Sequence, residues 1–244
     1  MNILFYCPFK FSLKSKDIKS LGGIESLNIE LTKYLSNFKN KIYLATECNK
    51  EIKKGNLINI PINKLIKKGL DYEFDKIISS NDPRIFNYTK YSKNFLWLHN
   101  KLPIEKAFRK KKFFSIIKNK VSAIFVSDYL LKKTTNIYNF KQKIIIPNFL
   151  DPVFSNSKAH FNRKPYFIWS VQRNKGLKEV IDIWIKKIHP QYKKFKLFIF
   201  GVKQTKIDNY NLKKLSNFNI FYKGRVKKKN LINYYKKSMA MICL

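Results

Sequence analysis

Two adjacent glycines stand directly in front of a helical pattern near the start of the sequence. Gly22 and Gly23 belong to the segment LGGIESLNIELTKYLSN (21–37), in a chain that has only seven glycines among its 244 residues. Glycine lets another group approach the backbone closely, and the first turn of a helix offers free N–H groups and the positive end of the helix dipole. The pair therefore predicts either a site for an anion such as phosphate or a tight loop before a core helix.

A second candidate anion site, with cations added, lies in the second half of the chain. The segment WSVQRNKGLKEV ends a predicted strand and begins a predicted helix at Gly176. Arg173 can hold a phosphate through a fork of donors, and Lys175 adds a point charge. The alternative is a pair of solvated basic residues in a lysine-rich loop, but arginine is scarce here, with five among 51 basic residues. We therefore interpret this junction as a phosphate site.

Short apolar strands alternate with helical patterns along both halves of the chain. In the first half the predicted strands are NILFY (2–6), KIYLAT (41–46), LINI (57–60), DKIISS (75–80), NFLWLHN (94–100), VSAIFVS (121–127) and KIIIPN (143–148). In the second half they are YFIWSV (166–171), FKLFIFG (195–201), NIFYKG (219–224) and MAMICL (239–244). Runs rich in Ile, Val and Leu without polar alternation are typical of parallel strands covered on both faces, so we predict doubly wound α/β sheets.

The helical patterns complete this arrangement. The first helix carries an apolar stripe predicted to face the core, formed by Ile24, Leu27, Leu31, Tyr34 and Leu35. Further helices are predicted after Ser127, which can cap the helix that follows it, over 176–188, over 204–216 and over KKNLINYYKKS.

The alternation stops between Asn148 and Pro165, where the segment is rich in proline and small polar residues. We predict an N-terminal Rossmann-like domain over 1–148, a linker over 149–164 and a second Rossmann-like domain over 165–244. The second domain has too few strands for a complete sheet of order 3-2-1-4-5-6, so we expect it to be incomplete. Two such domains would face each other across a ligand cleft.

The charge of the chain is strongly positive, at a formal +36. Nearly all of it is lysine, scattered over most segments, whereas nucleic-acid readers use arginine forks and clustered basic patches. We expect no specific nucleic-acid partner, but the field favours anionic membrane surfaces and phosphorylated substrates. The run RKKKFF (109–114) is expected to be a solvated helix face, and binding to anionic vesicles should be salt-sensitive.

The three cysteines, Cys7, Cys48 and Cys243, are too far apart to match a metal or redox motif. We therefore expect no metal site and no disulfide framework. No apolar run is long enough to span a bilayer, and the first residues fit a strand better than a signal peptide. The expected location is the cytoplasm or the inner surface of the cell membrane.

The order of several motifs along the chain resembles the retaining "group 1" glycosyltransferases with GT-B architecture. The motifs are GGIESLNIELTKYLSN, FLWLHNKLP, VSAIFVSDYLLKK, IIIPNFLD, SVQRNKGLKEVIDIW, FKLFIFG and FYKGRVKKKNLINYYKKSMAMICL. The similarity runs over almost the whole chain. Its most specific part is PNFLD, where the family often has Pro-Asn-Gly-Val-Asp, followed by Arg-x-Lys-Gly.

The resemblance implies transfer of a sugar, with retention, from a nucleotide-diphosphate-sugar, which is a substrate rather than a cofactor, to a lipid-linked or glycan acceptor. It implies that Gly22 and Gly23 approach the donor phosphates or the acceptor, and that Arg173, Lys175 and the helix start at Gly176 hold the diphosphate. His99 matches a histidine directed at the donor sugar in many members; the alternative is an imidazole satisfied within the core or rim. Glu25 is either an acceptor contact or a first-turn acid favoured by the helix dipole.

The chain departs from the family pattern at its end. The family continues past MAMICL into a Pro-Ser turn, paired glutamates that bind the ribose and sugar, and a long helix that crosses back to the first domain. We therefore expect much of the nucleoside half of the donor site to be missing from this sequence. The alternatives to an active transferase are an inactive fragment of one, or a non-enzymatic basic module that binds membranes or nucleic acid.

Overall fold

A computed structural model describes residues 1–14, 21–68, 72–89, 93–150, 154, 162–171, 176–202, 206–207 and 209–243. The chain divides into two compact units, Met1–Phe149 and Leu150–Leu244. Most of the linker predicted over 149–164 lies outside the described residues.

The first unit is built on an eight-stranded sheet. Its strands are β1 (Asn2–Tyr6), β2 (Lys41–Thr46), β3 (Ile52–Lys54), β4 (Leu57–Pro61), β5 (Lys76–Ser80), β6 (Lys93–Leu98), β7 (Ser122–Phe125) and β8 (Lys143–Ile145). Their order is β3-β4-β2-β1-β5-β6-β7-β8, and every pairing is parallel except that of β3 with β4. All seven predicted strands are present, and the short edge strand β3 was not predicted.

The order of the parallel strands is that of a Rossmann-like sheet. The chain builds from β1 towards β2 and β4 on one side, and from β5 towards β8 on the other. In open sheets of this kind, ligands bind beyond the carboxyl ends of the strands at the point where the order reverses. That point lies between β1 and β5.

Helices cover the sheet. They are α1 (Gly23–Ser36), α2 (Ile62–Lys68), α3 (Ile104–Arg109), α4 (Lys112–Lys118) and α5 (Asp128–Lys132), with 3-10 turns at Pro83–Tyr88 and Asn136–Tyr138. The Ser127 hydroxyl accepts a hydrogen bond of 3.2 Å from the Leu130 N–H and caps α5, as predicted.

The buried face of α1 matches the predicted stripe in part, because Ile24, Leu31 and Leu35 pack against the core. Tyr34 is 61% exposed and contacts Phe38 edge-to-face instead of the core. The most buried side chains of the helix are Asn28, Ile29 and Thr32. Two of these are polar, and their hydrogen bonds are satisfied: the Thr32 hydroxyl bonds back to the Asn28 carbonyl at 2.7 Å. A prediction based on apolar spacing alone cannot identify buried polar residues such as these.

The second unit contains a smaller parallel sheet. Its strands are β9 (Tyr166–Trp169), β10 (Lys196–Phe200), β11 (Lys206–Ile207), β12 (Tyr210–Asn211), β13 (Ile220–Gly224) and β14 (Ala240–Met241). Four of them form the parallel order β13-β10-β9-β14, while β11 and β12 form a separate antiparallel pair. The helices are α6 (Leu177–Ile183), which continues as a π-helical turn over Trp184–Ile188, α7 (His189–Gln191) and α8 (Lys228–Lys237).

The helix predicted over 204–216 is wrong. The described part of this segment forms β11, β12 and a 3-10 turn at Leu212–Lys214. The Asn211 side chain accepts a hydrogen bond of 3.1 Å from the Lys213 N–H, and the Tyr210 hydroxyl bonds to Asp182 at 2.5 Å. The local bond of Asn211 to the backbone offers the chain an alternative to a helix.

Two apolar layers enclose the first sheet, one on each face. Alternate residues of β1 divide between them, with Leu4 and Tyr6 on one face and Ile3 and Phe5 on the other. No helix in the described part of the chain is both long enough and apolar enough to cross a membrane.

Candidate functional site

The amino-terminal end of α1 lies at the carboxyl edge of the first sheet and has no side-chain cap. Gly22 is the N-cap, with an extended backbone (φ −72°, ψ 176°), and its carbonyl accepts the first helical hydrogen bond from the Ser26 N–H at 3.0 Å. A Cβ built on Gly23 would meet no atom within 4 Å. The first helical residue therefore presents an open face to a ligand.

Glu25 occupies the space over the other glycine. A Cβ built on Gly22 would lie 2.6 Å from the Glu25 Oε2 atom. Glu25 also acts on the Cys7 thiol, whose pKa is raised by burial and further by this carboxylate. Because residue 22 has no side chain, the Glu25 carboxylate can lie over it. The sequence did not predict this contact.

A buried polar pair fixes α1 to the carboxyl end of β5. The Asn28 amide donates to the Ser80 hydroxyl at 3.0 Å, and that hydroxyl donates back to Asn28 Oδ1 at 3.2 Å. Both side chains are fully buried. Because a buried polar group without a partner is costly, this reciprocal pair sets where the helix begins relative to the strand ends.

His99 follows β6 at the same edge and on the same face. Ser80 pairs in register with Trp97, and the His99 ring centroid lies 4.5 Å from that of Trp97. The His99 N–H donates to Asn81 Oδ1 at 2.9 Å, which fixes its backbone. His99, which was singled out in the sequence, therefore lies beside the sheet face that α1 covers.

The imidazole of His99 is neutral and has no polar partner among the described residues. Both ring nitrogens are buried and make no hydrogen bond there. Burial lowers the pKa of His99 from its ordinary 6.5 to about 4. A neutral imidazole offers one donor and one acceptor, which suits recognition of a sugar hydroxyl. The role of His99 towards a donor sugar stays a prediction.

A charged cluster at the end of β5 was missed by the sequence analysis. Asp82, which is 4% exposed, accepts hydrogen bonds from Arg84 Nε at 2.9 Å and Arg84 Nη2 at 2.5 Å. Lys112 Nζ lies 3.9 Å from Asp82 Oδ1. Burial alone would raise the pKa of Asp82, but the hydrogen bond from Arg84 and the charge of Lys112 outweigh it and hold that pKa below its usual range. The scarcity of arginine was the signal that could have drawn attention to Arg84.

The predicted phosphate site of the second unit is described only in part. Arg173 and Lys175 lie outside the described residues. Gly176 has a left-handed backbone (φ 85°) and is the N-cap of α6. A residue with a Cβ would be strained in that conformation, so this glycine has a structural reason independent of any ligand.

Within the described residues, no group of three or more His, Cys, Asp or Glu side chains is placed to hold a metal ion. The three cysteines are free, with Cys7 buried and Cys243 exposed.

The fold is similar to that of glycosyltransferases of known structure. Sucrose-phosphate synthase from Thermosynechococcus elongatus aligns with a TM-score of 0.62 and 12% identity, over 99% of this chain and 75% of that one. WaaG, a glycosyltransferase involved in lipopolysaccharide biosynthesis, aligns with a TM-score of 0.65 and 10% identity, over 99% and 74% of the two chains. HepE from Anabaena, in complex with UDP and glucose, aligns with a TM-score of 0.64 and 11% identity, over 98% and 73%.

No family model matches the sequence, and no curated relative does. At these identities the structural likeness concerns the fold, and it shows the GT-B architecture. The predicted fold class, α/β with Rossmann-like parallel sheets, is confirmed.

Proposed function

We propose that this chain is a retaining glycosyltransferase that uses a nucleotide-diphosphate-sugar donor. The observation that carries the proposal is the neutral imidazole of His99, which has no polar partner among the described residues. It lies on the sheet face covered by α1, at the carboxyl edge of the sheet where that helix begins. A fold alone does not specify a reaction, so these residues matter more than the GT-B architecture. The architecture adds support, because HepE was solved with UDP and glucose.

Each unit would supply different residues for substrate binding. The first, predicted as 1–148, would present His99 to the donor sugar, Gly23 to the donor phosphates and Glu25 to the acceptor. The second, predicted as 165–244, would bind the diphosphate through Arg173, Lys175 and the α6 start at Gly176. Cations and helix N–H groups there would neutralise the charge that develops on the leaving diphosphate.

The reaction needs no side-chain nucleophile. The bond between the anomeric carbon and the donor phosphate oxygen breaks, and the acceptor oxygen forms a new bond to that carbon on the same face. The proton of the acceptor hydroxyl passes to the departing phosphate oxygen. Neutral His99 would orient the sugar by hydrogen bonding and would not carry the proton, because its pKa of about 4 keeps it uncharged at neutral pH.

A binding experiment tests the donor site directly. Arg173→Ala should weaken nucleoside-diphosphate binding by roughly ten- to a hundredfold, the usual worth of a hydrogen bond to a charged group, while nucleoside binding stays unchanged. Lys175→Ala should cost less, because neighbouring lysines replace a point charge. Lys187→Ala, which removes an exposed charge from the same unit, is the control. Unchanged diphosphate affinity in a folded Arg173→Ala protein would contradict this role.

The proposed setting is cell-surface glycan or lipopolysaccharide synthesis at the cytoplasmic face of the membrane. The helical hairpin of α3 and α4 supports this location. Phe108 and Phe114 are 43% and 61% exposed, and Ile117 is 42% exposed. Arg109 at the end of α3 and the connecting residues Lys110 and Lys111 have exposed basic side chains.

This combination favours an anionic lipid surface over nucleic acid. Exposed phenylalanines can insert at the boundary between headgroups and acyl chains, while the flanking cations interact with anionic lipids, at about 1 kcal/mol for each one near the surface. The alternative of a basic module that only binds membranes is tested by the same donor titration, because such a module would show no preference for a nucleoside diphosphate over the nucleoside.

A further inference from the structure

The guanidinium of Arg84 is fixed along one edge and open along the other. Its Nε and Nη2 atoms donate to the two carboxylate oxygens of Asp82, which is buried. Asp82 also accepts from the Arg84 N–H at 3.2 Å, so it caps the turn that carries the arginine. The Arg84 side chain is nevertheless 52% exposed. A planar donor fork that is held in place by a buried carboxylate and still reaches solvent is pre-organised to bind an oxyanion.

Two cations share this one carboxylate. The Lys112 side chain is 14% exposed, and its Nζ donates to the Asn81 carbonyl at 2.6 Å while lying 3.9 Å from Asp82 Oδ1. The local group of Arg84, Lys112 and Asp82 therefore has one positive charge in excess. An anion bound there would restore neutrality at a partly desolvated position, where the attraction is stronger than in bulk water.

Two tyrosines interact electrostatically with the guanidinium of Arg84. The hydrogen bond to Asp82 raises the pKa of Arg84, and electrostatic interactions with Asp82, Tyr6 and Tyr88 add to the shift. Tyr6 is the last residue of β1, and Tyr88 ends the 3-10 turn and is 43% exposed. Burial raises the pKa of Tyr6 to about 12, with a contribution from Asp82, so its hydroxyl keeps its proton at neutral pH. Glu47 also acts on Tyr6, but less than Asp82 or Arg84 does.

The position of this cluster is that of a ligand site in the sheet. Tyr6 ends β1, and Asp82 and Arg84 follow β5, so the cluster lies where the strand order reverses. Asn81 links it to His99, because Asn81 Oδ1 accepts from the His99 N–H while the Asn81 carbonyl accepts from Lys112. A group bound at Arg84 would thus lie at the same edge of the sheet as the site proposed for sugar transfer.

We propose that Arg84, Lys112 and the hydroxyls of Tyr6 and Tyr88 bind a phosphate group carried by the acceptor substrate. Several donors of different geometry fit the tetrahedral oxygens of phosphate better than the two oxygens of a carboxylate. The identification of the ligand as the acceptor rests on the proposed function, whereas the phosphate site itself does not. The phosphate could belong to a lipid headgroup or to a sugar phosphate.

The test is a titration of the whole chain with inorganic phosphate, glycerol 3-phosphate and glucose 1-phosphate, with glycerol and glucose as uncharged probes. Arg84→Gln should weaken binding of all three phosphates by about ten- to a hundredfold, and Arg84→Lys by less, because it keeps the charge and loses the fork. Lys53→Gln removes an equal charge from the exposed edge strand of the same unit and should change the affinity by less than about twofold. Tyr88→Phe, at an exposed position, should weaken binding by a few-fold without affecting the fold.

Equal losses in Arg84→Gln and Lys53→Gln would overturn the proposal, because they would indicate general attraction to a basic surface. So would phosphate affinity that neither Arg84→Lys nor Tyr88→Phe changes. Tighter binding of glycerol 3-phosphate would identify a lipid-like acceptor, and tighter binding of glucose 1-phosphate a sugar phosphate. Each titration is repeated with UDP present. If UDP does not bind while phosphate binding still depends on Arg84, the proposed function fails and the phosphate site remains.

Discussion

The carboxylate of Glu25 lies over Gly22, where a Cβ would come within 2.6 Å of its Oε2 atom. Gly23, the next residue, faces open space. The two glycines therefore differ in their surroundings: a flexible side chain of the protein lies beside the first, and the space beside the second is open. Only the second is expected to contact donor phosphates.

Gly23→Ala separates a structural role from a binding role. Alanine is the better helix former, so the free energy of unfolding should rise, by up to about 1 kcal/mol. If phosphates approach this face, the added methyl group should at the same time weaken nucleoside-diphosphate binding. Gly22→Ala should have the smaller effect on binding, because the flexible Glu25 carboxylate can move aside. A stabilised Gly23→Ala protein with undiminished diphosphate affinity would leave only the tight-loop interpretation.

His99 should make stability fall in mild acid. Its pKa is lowered from 6.5 in the unfolded chain to about 4 in the fold. Above pH 6.5 both states are neutral there and the contribution to stability is complete. Between pH 6.5 and 4 the unfolded state takes up a proton that the folded state does not, so stability is lost, by no more than about 3 kcal/mol.

The measurement is the free energy of unfolding against pH for the protein and for His99→Gln, which does not titrate. The difference between the two curves should change between pH 6.5 and 4 and be flat at higher pH. Parallel curves through this range would show that the imidazole is not desolvated in the fold.

The Asn28–Ser80 pair should show strong coupling. Asn28→Ala leaves the Ser80 hydroxyl without its partner in a buried position, and Ser80→Ala does the same to the amide, so each should destabilise the protein by about 1–3 kcal/mol. The double variant should lose less than the sum of the two, because neither orphan remains. Denaturant unfolding of all four proteins gives the coupling energy. Strict additivity would mean that the two side chains do not hold α1 to the strand end.

Phe108 and Phe114 should determine membrane binding. Phe108→Ser and Phe114→Ser should each weaken binding to anionic vesicles by about tenfold, since each removes apolar area that inserts into the interface. Phe38→Ser is the matched control, because Phe38 is 50% exposed and lies just after the carboxyl end of α1, outside the α3–α4 hairpin. Added salt should weaken binding of every variant. Equal binding to neutral and anionic vesicles at low salt would contradict the proposed surface.

Much of the fold could be predicted from sequence because the information is local. The parallel strands of the first sheet are short runs rich in Ile, Leu, Val and Phe, which is the pattern expected for strands covered on both faces. The segment 204–216 shows the limit. Its apolar spacing is compatible with a helix, but bonds from Tyr210 and Asn211 favour turns, and one of these reaches a helix 28 residues away.

The candidate site could be predicted where a residue type is rare and missed where its meaning depends on distant partners. The glycine pair and His99 stand out in the sequence itself. Asn28 received no role from the sequence, because its partner Ser80 is 52 residues away in the chain. Arg84 could be assigned to a site only once the burial of Asp82 was known. An arginine next to an exposed aspartate forms a weak surface pair and does not indicate a binding site.

The central claim, sugar transfer from a nucleotide donor, is tested most directly by following that donor by NMR. The protein is incubated with a panel of nucleotide-diphosphate-sugars and with phosphorylated and glycan acceptors, with water as the minimal acceptor. We expect consumption of one donor, release of the nucleoside diphosphate, and a product whose anomeric configuration matches that of the donor. His99→Ala should lower the rate by about a hundredfold, within the range typical for the loss of one pre-organised polar contact. Inversion at the anomeric carbon, or turnover that His99→Ala leaves unchanged, would contradict the mechanism. A folded protein that neither consumes nor binds any donor would contradict the function itself.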